Sequence, residues 1–256
     1  VADFYYLVGD QTLRQAVINT KGKLIVKSRT GGYDGRGNMV YKGQKMVELN
    51  RQLGDKLYAE QMIDFERELS VIAARGIDGE IAVYPTVETV HEDNICHTVL
   101  APAKVNKKVH NSAQEIAHET LRHLGGAGIF AIEMFQVDDD VIINEIAPRV
   151  HNSGHFTIEA CQTSQFEQHI RAITGMPLGS TEMRTAAAVM INILGTRDEP
   201  LSRSGLERTL ALPDTHPHFY GKDPRPARKV GHITVLAESL KEAETIAIAA
   251  RENFRI

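Results

Sequence analysis

Two apolar runs flank Asp138-Asp139-Asp140, and each carries a single glutamate among its apolar neighbours, Glu133 in the first and Glu145 in the second. Such a stretch folds most simply by turning back on itself at the acidic triplet. If 129–137 and 141–146 pair as a hairpin centred near Asp139, Glu133 lies opposite Glu145 and both point to one side of the sheet. Two carboxylates so placed repel each other unless a cation sits between them. Mg²⁺ is the natural candidate, because it takes hard oxygen ligands and keeps part of its shell for phosphate. The plainer alternative is an exposed hairpin with solvated acids.

The 256 residues suffice for one large domain or two smaller ones, and the share of hydrophobic residues, 42%, is that of an ordinary globular chain. A formal charge of −4 exerts no overall pull toward nucleic acid or anionic membrane, so neither is expected as a partner. Only Cys96 and Cys161 occur, which excludes a disulfide framework or a Cys-rich zinc site and points to reduced thiols and a cytoplasmic location. No apolar run approaches the length of a bilayer span. The chain opens on Val1 and almost at once on Phe4-Tyr5-Tyr6-Leu7-Val8, as though a domain were already under way, so a processed, cleaved or partial polypeptide is expected.

Periodicity predicts helices over 10–20, 44–53, 110–124, 156–173, 204–212 and 239–250. Asn111 or Ser112 is the expected cap of the third. Strands are expected at 24–27, 38–41, 56–61, 68–75, 80–84, 95–100, 129–137, 141–146, 186–194, 216–220 and 230–237. Strands and helices mixed with several hairpins favour an α+β fold. A change in character between Pro177 and Thr185 divides the chain into a larger region, 1–180, and a small C-terminal module, 181–256.

Four side-chain groups carry the candidate chemistry. Gly31, Gly32, Tyr33, Asp34, Gly35, Arg36 and Gly37 form a glycine-rich loop between strands, where backbone amides can approach phosphate oxygens. Lys27 precedes it at a strand end, within reach of an α- or β-phosphate. Glu60, Gln61, Met62 and Ile63 can run past a purine edge, with Glu60 or Glu68 accepting from hydroxyls. Arg149, His151, Asn152 and His155 offer donors to an anion beside the two glutamates, and His151 can also move a proton. Lys222, Arg225, Arg228 and Lys229 form a second basic cluster suited to a phosphate. His91, at a turn, is the one scattered histidine singled out. Each group also has a bland reading as solvated loop or strand end.

In their order along the chain, Lys27 to Gly37, Glu60 to Ile63, Glu133 with Asn144-Glu145, Ala147-Pro148-Arg149-Val150-His151-Asn152-Ser153-Gly154-His155 and Arg228 to Ile233 resemble the N5-carboxyaminoimidazole ribonucleotide synthetases, ATP-grasp enzymes of purine synthesis. The resemblance covers nearly the whole chain. It implies an ATP-grasp fold with a small C-terminal domain, the cofactors ATP and Mg²⁺, and carboxylation of 5-aminoimidazole ribonucleotide with bicarbonate through carboxyphosphate. It further implies that Lys27, the 31–37 loop, Glu60 to Ile63, Glu68, His91 and Asn144 serve the nucleotide, and that Glu133 and Glu145 bind Mg²⁺. Arg149, His151 and Asn152 would orient bicarbonate, while Lys222, Arg228 and Lys229 hold the ribonucleotide phosphate. The family carries an N-terminal, nucleotide-fold-like domain before the region matched here, so that domain is expected to be supplied as another chain or lost, and the intact protein to be a homodimer. Another ATP-grasp carboxylase or ligase, such as a biotin carboxylase, and a noncatalytic nucleotide-binding fragment are the alternatives.

Overall fold

Two runs, Arg67–Arg75 and Gly128–Val137, bury residues on both of their alternating faces, the pattern of strands covered on two sides. In the computed structural model, which describes residues 1–31, 37–195 and 203–254, they lie side by side in the larger of two sheets. By backbone contacts the chain forms two compact units, Val1–Phe65 with Asp93–Ile95, and Glu66–Glu92 with Cys96–Ile256.

The first unit runs β1 (Phe4–Leu7), α1 (Asp10–Asn19), β2 (Leu24–Ser28), β3 (Asn38–Val40), α2 (Met46–Leu53) and β4 (Leu57–Gln61). Its antiparallel sheet has the order β1-β4-β2-β3, and Leu13, Ala16 and Leu49 of the helices pack with Leu24, Val26 and Ala59 of the strands.

The second unit continues with β5 (Arg67–Arg75), β6 (Ile81–Val83), β7 (Val87–Glu92), β8 (Ile95–Ala101), α3 (Lys107–Leu124), β9 (Gly128–Val137) and β10 (Asp140–Ala147). After them come α4 (Thr157–Ala160), α5 (Gln165–Thr174), β11 (Ala187–Leu194), α6 (Arg203–Leu210), β12 (Thr215–Phe219), β13 (Lys229–Ala237) and α7 (Leu240–Glu252). Its strands follow the order β10-β9-β5-β7-β8-β11-β13-β12, with β6 on β5. Because β8 pairs with β11, Val99 opposite Met190, the C-terminal strands prolong the same sheet.

Alternation sorts the side chains of this sheet. Leu69, Val71 and Ala73 of β5 and Phe130, Ile132 and Met134 of β9 meet Val109, Ala113, Ala117 and Leu121, the four-residue-spaced stripe of α3. Ile72, Ala74, Ile129 and Ala131 point the other way, toward Phe156, Ala160 and Cys161. Val189, Ile191 and Ile193 of β11 face Ala243, Ala247 and Ala250 of α7, leaving Met190 and Asn192 on the opposite face.

Three expectations need correction. The helix expected over 156–173 is broken: Thr157 accepts the Gln165 N–H at 2.9 Å and donates to the Gly154 carbonyl at 2.6 Å, and Ser164 caps a new helix by accepting from Glu167 N–H at 3.2 Å. α3 begins earlier than expected, because Asn106 rather than Asn111 or Ser112 accepts from Val109 N–H at 3.0 Å. Val87–Glu92 is a strand that periodicity did not show, so His91, expected at a turn, sits within a strand instead.

Leu121 is fully buried in the α3 interface. Leu121→Ala should therefore lower unfolding stability by about 2–5 kcal/mol, read from the midpoint shift in urea at constant m-value.

Candidate functional site

The face of the second sheet away from α3 collects the polar residues. Ser70 pairs with Glu133 and Glu68 with Phe135, so Glu68, Ser70 and Glu133 share that face with Ile72 and Ala74. Glu145 pairs with Glu133, and a register shift between Ile143 and Glu145 makes this pairing happen. Asp138 and Asp139 form the turn, Val137 opposite Asp140; continued without interruption, that ladder would set Asn144 against Glu133 and send Glu145 to the other face. The bulge at Asn144 places both residues against Glu133. A second shift, between Ile193 and Leu194, pairs Leu194 with Lys229 and so brings Lys229 to the face of Asn192, while Val230 joins the core under α7.

Glu133 is crowded. Its side chain keeps 22% of its exposure, and its pKa is pushed up to about 7 by burial, then by repulsion from Glu145 and Glu68, against the opposing pull of Lys229 and Arg149. Burial also raises Glu68, whose carboxylate lies 3.2 Å from His91 Nδ1. His91 is lowered by burial and then by Lys229.

Over this face lies the loop that follows β10. His151 Nε2 stands 3.3 Å from Glu133 Oε1, and its Nδ1 is 2.9 Å from the Ser153 hydroxyl, itself 2.8 Å from that of Ser70. Ser153 N–H also points at Nδ1, 3.4 Å away, which favours the tautomer carrying its proton on Nε2, toward Glu133. Burial, then Arg149 and Lys229, lowers the His151 pKa to about 4, so the ring is neutral near pH 7. Gln165 clamps the loop, accepting from His151 N–H at 2.9 Å and donating to its carbonyl at 2.7 Å. Gly154 makes room for the clamp, since a Cβ there would meet Gln165 Oε1 at 2.6 Å and Ile72 Cγ1 at 2.9 Å. Asn152 and Asn192 exchange amide hydrogen bonds of 2.9 and 2.8 Å, and Lys229 Nζ reaches Asn152 Oδ1 at 3.3 Å. Arg149 is exposed, with one N–H on the Val150 carbonyl at 3.2 Å.

The structure thus gathers Glu68, His91, Glu133, Asn144, Glu145, Arg149, His151, Asn152 and Lys229 on one unit. The other two phosphate candidates stand apart from the asparagine pair: Arg228 donates to the Asp223 carbonyl in its own loop at 3.0 Å, and the exposed Lys222 places its ammonium 5.1 Å from the Tyr220 ring centre. In the first unit, Lys27 and Glu60 are joined to each other at 2.5 Å, each side chain about four-fifths buried. Gln61 and Met62 are exposed and Ile63 is half-buried. Gly31 and Gly37 both have positive φ, +79° and +86°. Gly32, Tyr33, Asp34, Gly35 and Arg36 lie outside the described residues.

Sequence reasoning missed Ser70, Gln165 and Asn192. The signal existed for Asn192, the single polar residue in Ala187–Leu194. Gln165 was hidden inside what read as one continuous helix.

Two carboxylates facing each other, one with its pKa pushed up to about 7 by burial and then by the charge of the other, fit a divalent cation. Among the described residues no three His, Cys, Asp or Glu side chains form a ready cation cage, so a cation at Glu133 and Glu145 would take only part of its shell from them.

A sheet bearing such a pair, in a chain that also carries an antiparallel unit with a glycine-rich sequence between two of its strands, is the class of structure that the family comparison names: the model of the ATP-grasp domain matches residues 1–166, and that of the phosphoribosylaminoimidazole carboxylase C-terminal domain matches 188–245. The chain is 46% identical over 227 residues to phosphoribosylaminoimidazole carboxylase of Ogataea methanolica, covering 86% of this chain and 42% of that protein. The crystal structure of N5-carboxyaminoimidazole ribonucleotide synthetase from Thermus thermophilus superposes with a TM-score of 0.86 at 36% identity, over 100% of this chain and 68% of that one. The synthase from Aspergillus clavatus in complex with ADP and 5-aminoimidazole ribonucleotide gives 0.84 at 36% identity, over 99% and 69%. The chain belongs to the ATP-grasp family, among its N5-carboxyaminoimidazole ribonucleotide synthetases.

The raised Glu133 pKa carries a sign. Between the ordinary glutamate value of 4.5 and about 7 the folded protein holds a proton that the unfolded chain has released, so this group's contribution to stability falls as pH rises through that window. In metal-free buffer, the stability of Glu133→Gln relative to wild type should increase from pH 4.5 to pH 7 by on the order of 2–3 kcal/mol, measured by urea unfolding at each pH.

Proposed function

We propose that this chain carries out the ATP-dependent carboxylation of 5-aminoimidazole ribonucleotide with bicarbonate, giving N5-carboxyaminoimidazole ribonucleotide, ADP and phosphate through carboxyphosphate in purine synthesis. The observation that carries the proposal is the Glu133–Glu145 pair lying beneath the Arg149, His151 and Asn152 loop, with Lys229 at its edge. The Aspergillus relative, described as a complex with ADP and 5-aminoimidazole ribonucleotide, supports the ligand assignment.

In this reading Glu133 and Glu145, with Asn144 beside them, hold Mg²⁺, which supplies positive charge to phosphoryl oxygens. Arg149 presents an exposed guanidinium to the bicarbonate or carboxyphosphate anion. His151, neutral and with its proton on Nε2, serves as a hydrogen-bond donor at neutral pH, and Asn152 adds an amide. Donors fixed in this way need no rearrangement as charge develops. Lys27 and the 31–37 segment serve the nucleotide phosphates, and Glu60 to Ile63 the adenosine; Glu68 and His91 are assigned to the nucleotide as well. Lys229, Lys222 and Arg228 hold the ribonucleotide phosphate.

Residues 1–180 are proposed to contain the nucleotide, metal and bicarbonate sites, and 181–256 part of the ribonucleotide site. The chain spans 42% of the length of its Ogataea relative. An N-terminal domain is proposed to complete the ribonucleotide site, with the whole protein a homodimer. The buried free thiols of Cys96 and Cys161 suit the cytoplasm.

Assayed together with that domain, the protein should release ADP from MgATP and bicarbonate faster when 5-aminoimidazole ribonucleotide is added; identical rates with and without it would overturn the assignment. Glu145→Ala should lower kcat by roughly 10²-fold or more. Lys222→Ala should chiefly raise the KM for the ribonucleotide, and an unchanged saturation curve would remove that residue from the phosphate site.

A further inference from the structure

Asn192 is fully buried near the end of β11, and both the nitrogen and the oxygen of its amide are hydrogen-bonded. Its Nδ2 donates to the Cys96 carbonyl at 2.9 Å and to Asn152 Oδ1 at 2.8 Å, while its Oδ1 accepts from Asn152 Nδ2 at 2.9 Å. The orientations of both amides follow from their other partners. A backbone carbonyl can only accept, so the Asn192 atom facing Cys96 is the nitrogen. An ammonium can only donate, so the Asn152 atom facing Lys229 is the oxygen. The two assignments agree with each other across the pair.

An asparagine amide turns easily about its last torsion, and a half-turn exchanges donor for acceptor. Held by Asn192, Asn152 cannot make that exchange. One amide N–H faces Asn192, the oxygen is shared between Asn192 and Lys229, and among the described residues no hydrogen bond takes the second N–H. That leaves a donor of defined direction, together with a lysine whose head is tied to the same oxygen.

We propose that Asn192 is a positioning residue: by pairing with Asn152 and, through Asn152 Oδ1, with Lys229, it fixes a hydrogen-bond donor of the loop and the lysine in one geometry for the anionic substrate. The inference rests on the proposed carboxylation and adds to it a residue that touches no substrate. It also gives β11, in the C-terminal part of the chain, an indirect part in the chemistry of the 149–155 loop, through Asn152.

The test is a double-mutant cycle. Asn192→Leu keeps the shape of the side chain and removes the pair; it should lower kcat/KM for the ribonucleotide about tenfold, with the KM for ATP changed less than about twofold. Added to Asn152→Ala, the same substitution should lower kcat/KM by less than about twofold, because its action passes through the amide already lost. Effects that multiply in the double variant, a parallel rise in the KM for ATP, or wild-type kinetics in Asn192→Leu would each overturn the inference. Should near-ultraviolet circular dichroism show that the leucine variant does not fold, Asn192→Ser, too short to span the pair, takes its place in the same cycle with the same expectations. Wild-type protein that shows no ribonucleotide-dependent ADP release would instead defeat the functional reading itself.

Discussion

The repulsion between Glu133 and Glu145 is the constraint around which the second unit's polar face is arranged. Glu145 is exposed, but Glu133 is not where burial alone would put a carboxylate. Glu133 lies in a strand whose other residues fill two hydrophobic clusters, and its charge is disfavoured by desolvation before Glu145 and Glu68 are counted. The positive groups nearby, Lys229 and Arg149, offset this only in part, and His151 is itself kept neutral by its own burial and by those same cations. A cation at the carboxylates would relieve the repulsion that the protein's own charges leave there, which is what the proposed site asks of its ligands.

Two strand irregularities make this arrangement. The shift at Asn144 turns Glu145 onto the face of Glu133, and the shift before Leu194 turns Lys229 onto the face of Asn192. Each moves one charged side chain across the sheet at the expense of local ladder regularity, the first within β10, where three more pairs follow it, and the second at the end of β11. Regular pleating would have delivered the right residues to the wrong side.

Much of the fold was legible because its strands and helices follow their periods. The spacing that predicts helices over 110–124 and 239–250 and strands at 68–75 and 129–137 is that of faces buried in the structure, among them Ala113, Ala117 and Leu121 of α3 and the alanines of α7. What remained hidden was local and polar. A hairpin centred on Asp139 does put Glu133 opposite Glu145, but the turn is centred half a residue earlier and the bulge makes up the difference, a compensation that hydrophobicity does not encode. The break between α4 and α5 was invisible because Thr157 and Ser164 act through their hydroxyls while the apolar spacing runs on around them. Lys27 and Glu60 were read as separate ligand groups, and only the register of β2 on β4 brings them together as a pair. The motif residues of the 149–155 loop were found from their chemistry; the groups that hold them, Ser70, Gln165 and Asn192, come from three distant segments.

The β8–β11 ladder has a consequence for how the molecule can be divided. Val99, Leu100 and Ala101 are buried and pair with Ala188, Val189 and Met190, a seam that joins the region matched by the ATP-grasp model to the one matched by the C-terminal model. Cutting the chain between those two matches would turn β8 into a bare, apolar sheet edge, the kind of surface on which chains add to one another strand by strand. The boundary drawn by family comparison is a line in the sequence, and the cohesion of the sheet runs straight across it.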